Sequence, residues 1–148
     1  MKALSLRQPW AAIVLFHGKR IENRRWYTSF RGPFLIHASK GMTHREFDEA
    51  LECARRVLGD KCPNEADLRA QLQFGGIVGR AQIVDVVAPR PDPPLIDIKH
   101  YYPSDIGEDY WRWHFPEQFG FVLADVEPLT FVPYVGHLGF FDADVEVA

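Results

Sequence analysis

The spacing of apolar residues changes character once along this 148-residue chain, at Gly75-Gly76, and that change restricts the fold most. Ahead of it, short strand patterns alternate with helical ones. Lys2 to Arg7 alternates as a strand, with Ala3 and Ser5 on one face and Leu4 and Leu6 on the other. Gln8-Pro9-Trp10 opens a helix through His17, with Pro9 at the first helical position and Gly18 as a left-handed stop. Strands are expected at Ile21–Tyr27 and Gly32–Ala38, joined by the turn Thr28-Ser29-Phe30-Arg31. A two-helix insert follows at about 43–73. Its first helix has the capping box Thr43-x-x-Glu46 and carries Phe47, Ala50, Leu51, Ala54 and Leu58 at helical spacing up to Gly59. Its second starts near Asn64 and carries Leu68 and Leu72.

Beyond Gly76 the pattern is β-like. Ile77 to Val87 is a long strand, ended by four prolines within Pro89 to Pro94. Residues 95–109 have no clear period. Tyr110 to Phe115 reads as a strand or strand entry; Gly120 to Val126 and a short piece between Pro128 and Pro133 read as strands, and Gly136 to Phe141 closes the chain. Regular βαβα alternation is absent, so a doubly wound sheet is not expected. The expectation is a single α+β domain over 1–148: a small, mostly antiparallel β-barrel with flanking helices and the insert.

Charge is segregated. Residues 1–40 hold eight basic side chains and one acid, Glu22; residues 41–148 hold nine basic and nineteen acidic side chains. Such a division suits an anionic partner met by one surface, or equally a solvated basic face. The acidic remainder argues against wrapping long duplex DNA. The longest apolar stretch, Pro9 to Phe16, is far below the roughly 20 residues of a membrane span, so no membrane partner is expected. The start Met1-Lys2-Ala3-Leu4 lacks a secretory pattern, and a cytoplasmic location is expected. Cys53 and Cys62 read as two inert thiols.

The basic segment also concentrates chemistry. In a strand, Glu22, Arg24 and Trp26 share a face, and Lys19 leaves the turn at Gly18 toward it. Arg24 offers a planar fork for a phosphate or base edge. Trp10 and Trp26 offer stacking surfaces, worth about 1–3 kcal/mol per base. The same residues fit an ordinary surface ion-pair cluster beside core tryptophans.

The string Leu4-Ser5-Leu6-Arg7-Gln8-Pro9-Trp10-Ala11, then Gly18-Lys19-x-x-Glu22-x-Arg24, then Arg31-Gly32-Pro33-x-Leu35-Ile36-His37-Ala38-Ser39 closely resembles the ASCH domain family. Gly120-Phe121-Val122-Leu123 and Gly136-x-Leu138-Gly139 resemble that family's closing strands. The resemblance implies a PUA-like fold with a cleft beside the barrel, and RNA or a nucleotide-derived ligand such as a modified nucleoside in it. It also implies that Lys19, Glu22 and Arg24 line the cleft. Arg7, Trp10, Ser39 and Lys40 are the further candidate ligand contacts. The family includes N4-acetylcytidine amidohydrolases and ribonucleases, so a small metal-independent hydrolase using Lys19 and Glu22 is the alternative. Glu22 stands where the amidohydrolases carry threonine, and a carboxylate can serve as a base toward water but not as that hydroxyl nucleophile.

The six histidines show no zinc-like spacing, and neither a metal nor a cofactor is expected. His37 is expected as a hydrogen-bonded core or cleft-wall residue. The Tyr101–Trp113 aromatics read as loop packing rather than a second stacking wall. The insert reads as a structural cover or a surface for a protein partner.

Overall fold

The computed structural model describes residues 1–103 and 110–145. Six strands and three α-helices occur in the order β1 (Lys2–Leu6), α1 (Trp10–Phe16), β2 (Ile21–Arg24), β3 (Gly32–Ala38), α2 (His44–Leu58), α3 (Glu65–Ala70), β4 (Gly76–Val87), β5 (Phe119–Pro133) and β6 (Phe140–Asp142). They form one mixed sheet in the order β2-β5-β4-β3-β1-β6. This bears out the α+β, PUA-like expectation. β1 runs parallel to β3, with Ser5 opposite His37, and antiparallel to β6. β2 runs antiparallel to β5, from Ile21 opposite Val122 to Arg24 opposite Phe119.

The contacts gather into two compact units. One comprises Met1–Gly18, Pro33–Ala81 and Asp125–Ala148; the other comprises Lys19–Gly32 and Gln82–Ala124. β4 and β5 each contribute residues to both. In the first unit, Ala3, Leu35, Ile77, Phe141 and Ala143 form a buried cluster. Ala11, Ala12, Ile13 and Val14 of α1 are fully buried, and the helix surfaces at Phe16. Gln8, buried beside it, accepts from the Ala12 N–H at 3.0 Å and donates to the Gln73 carbonyl at 2.9 Å. A Cβ at Gly79 would collide with Leu15 and with the Glu127 carbonyl, so glycine permits the close approach of α1 and β5 to β4.

The second unit is closed by a polar chain inside an aromatic cluster. The buried Tyr102 hydroxyl accepts from Arg90 Nε at 2.9 Å and donates to His114 Nδ1 at 2.7 Å. His114 Nε2 then donates to the Gln118 carbonyl at 2.6 Å. Burial pushes the Tyr102 phenol up and the His114 imidazole down, so both stay neutral. Tyr102 meets Tyr110 and His114 edge-on, so these described aromatics pack on one another, as expected.

Several local expectations are corrected. Pro9 is the N-cap of α1, preceded by a cis peptide, rather than its first helical residue. β2 stops at Arg24, so Trp26 lies outside it. Tyr110–Trp113 is a 3₁₀ turn, not a strand, because its two aromatic ends, Tyr110 and Trp113, both turn into the core. The pieces at 120–126 and 128–133 are one strand, β5, which contains Asp125 at φ +50°. Its Pro128 lies beyond the Phe119–Val122 register of β2, where a missing N–H costs no bond to that strand. The closing strand starts only at Phe140, and Gly136–Gly139 is loop. Of the unpatterned 95–109 stretch, residues 98–101 form a 3₁₀ turn, and 104–109 lie outside the described residues. Cys53 and Cys62 are free thiols. Among the described residues no helix is long and apolar enough to cross a membrane.

Candidate functional site

The proposed site residues fall into two groups, one in each unit. The first is Lys19, Glu22 and Arg24. Gly18, with φ +78°, ends α1, and Lys19 turns inward rather than outward. The Lys19 side chain is 2% exposed, and its ammonium donates to the Ile21 carbonyl while sitting 3.7 Å from Glu22 Oε1. The alternation of β2 places Arg24 on the face of Glu22. Arg24 Nε and a terminal guanidinium nitrogen both lie 2.8 Å from Glu22 Oε2. One carboxylate, 10% exposed, is thus held between two cations. The Arg24 guanidinium also stands 5.9 Å from the Trp26 ring centre. Trp26 packs edge-on against Phe121 and keeps about a third of its surface exposed.

The second group lines a pocket of about 690 Å³ whose walls include Ser39, Lys40, Ser5, His37, Tyr134 and Gly136. His37 is 3% exposed and lines the pocket. Its Nε2 lies 2.7 Å from the Tyr134 carbonyl, which can only accept. Nε2 therefore carries the proton in the neutral ring, and Nδ1 accepts from the Ser5 hydroxyl at 2.8 Å. Gly136 faces this pair: a Cβ there would stand 2.7 Å from Ser5 Oγ and 2.6 Å from His37 Cε1. Lys40 is exposed, its stem lies along Gly75, and it has no carboxylate partner among the described residues.

The other two candidates are placed elsewhere. Arg7 forms a two-pronged pair with Glu46, at 2.9 and 2.6 Å. That pairing raises the Arg7 pKa and holds Glu46 at about 2. Trp10 begins α1, half-buried. Ser5, Tyr134 and Gly136 were not anticipated as wall residues. Ser5 meets His37 through the β1–β3 register, and Tyr134 and Gly136 reach the pocket from the segment after β5. Among the described residues no group of three or more His, Cys, Asp or Glu could hold a metal ion.

A family model described as "ASCH domain" matches residues 4–130, and the chain belongs to that family. It is similar to "Activating signal cointegrator 1" of Homo sapiens, 28% identical over 85 residues, and to that of Mus musculus, 31% identical over 86 residues. Each alignment covers 57% of this chain and 14% of the relative, so the chain matches only about a seventh of the relatives' length.

Proposed function

We propose that this chain is a binding module for RNA or a nucleotide-derived ligand, with Arg24 and Lys40 meeting phosphate or base oxygens. Glu22 meets a base N–H, Trp10 a base face, and Ser39 a further polar group. The observation that carries this reading is the Lys19–Glu22–Arg24 arrangement. Removing charges from water costs several kcal/mol per ion, and apolar residues of similar volume pack at least as stably. A costly triad holding a guanidinium 20% exposed is therefore better accounted for by recognition than by stability. Membership in a family associated with RNA and the basic 1–40 segment support the same reading.

The test is RNA affinity against salt for wild type, Arg24→Ala and Lys40→Ala. Each variant should weaken binding and lower the salt slope by about 0.7 per lost phosphate contact to a single strand. Unchanged affinity and slope in both would refute the placement.

A further inference from the structure

The pocket of the first unit contains more than a ligand contact needs. Ser5 and His37 are direct partners in the β1–β3 register, so two strands hold them in place. The hydrogen bond to the Tyr134 carbonyl fixes the His37 tautomer, leaving a lone pair on Nδ1 facing the Ser5 hydroxyl. This is the arrangement that activates a weak nucleophile: a hydroxyl, an imidazole base within reach, and a third group that orients the base. A merely structural cross-strand pair needs no open space. Here both side chains line a pocket of about 690 Å³, and Gly136 packs so closely against the pair that only glycine fits there. Lys40 on the same wall supplies a positive charge with no carboxylate partner among the described residues.

We infer that Ser5 and His37 are a nucleophile–base pair that hydrolyses a small ester or similarly activated acyl group carried on an anionic molecule. Ser5 Oγ forms a bond to the acyl carbon as its proton passes to His37 Nδ1. The Lys40 charge draws an anionic substrate into the pocket. The imidazolium returns the proton to the leaving alkoxide as the ester C–O bond breaks, giving acyl-Ser5. Water, deprotonated by the same nitrogen, attacks the acyl carbon and releases the acid and Ser5. Throughout, Nε2–H stays on the Tyr134 carbonyl. This chemistry shares Lys40 with the binding role proposed above but not Lys19, Glu22 or Arg24, and its test reads a covalent adduct on Ser5, which RNA affinity does not report.

A fluorophosphonate probe tests it directly. Peptide mass spectrometry should locate the adduct on Ser5. The labelling rate should fall by about a hundredfold or more in His37→Gln. No adduct on Ser5, or an equal rate in a folded His37→Gln, overturns the proposal. Should His37→Gln not fold, Ser5→Cys decides it. Its thiol should react with iodoacetamide at pH 6.5 at least about tenfold faster than Cys62, as a thiolate paired with imidazolium does. A rate no faster than that of Cys62, whose thiol burial pushes up, overturns the proposal equally.

Discussion

At the residue scale, Lys19 and Glu22 are not equivalent although they form one pair. Glu22→Gln leaves the Lys19 ammonium buried without its carboxylate, which should cost about 3–5 kcal/mol. Lys19→Met leaves Glu22 still held by Arg24 and should cost clearly less. Urea denaturation of the two variants measures the difference. The contact among Lys19, Glu22 and Arg24 was legible from spacing, because a strand puts alternate residues on one face. The depth of Lys19 was not, since a lysine after a glycine ordinarily points to water. His37 was legible as a hydrogen-bonded core or wall residue. Its partner Ser5 was not, because no local pattern states that β1 lies parallel to β3 in that register. His114 carries a separate expectation. Its folded pKa lies below the ordinary 6.5, chiefly through burial. Its stabilising contribution is complete above that value and is lost as pH falls toward the folded pKa, because the unfolded chain takes up the proton first. Urea midpoints at pH 7.5 and 5.5 should therefore differ more in wild type than in His114→Gln.

At the element scale, the first turn of α2 holds two devices on one glutamate. Glu46 Oε1 accepts from the Thr43 N–H at 3.0 Å, and the Thr43 hydroxyl accepts from the Glu46 N–H at 3.0 Å. The same carboxylate takes the Arg7 fork. Thr43→Ala should cost about 1 kcal/mol, read from the denaturation midpoint. The carboxylate's depressed pKa gives stability present above about 4.5 and lost as pH falls toward about 2. The pair is largely exposed, so the gain is small. An NMR titration of Glu46 should move back toward 4.5 in Arg7→Ala. The capping box, the Gly18 stop and β3 were legible because each rests on local backbone chemistry. β5 was not, because its continuity through Pro128 depends on where β2 ends. Likewise Tyr110–Trp113 has a strand-like composition, and its turn follows from the core it fills.

At the scale of the whole molecule, the missing βαβα alternation pointed away from a doubly wound sheet, and the sheet is mixed. The sequence pattern could not show that the contacts divide into two units, since β4 and β5 pass through both. That division follows from pairing between distant segments, which composition does not encode. The β1–β6 edge has a consequence of another kind. Met1 and Ala143 exchange backbone hydrogen bonds, with the Ala143 N–H on the Met1 carbonyl at 2.9 Å and the Met1 ammonium on the Ala143 carbonyl at 3.3 Å. Both ends of the fold therefore leave from one corner. A host chain could carry this domain as a side loop without stretching, its own path interrupted by only a few ångströms.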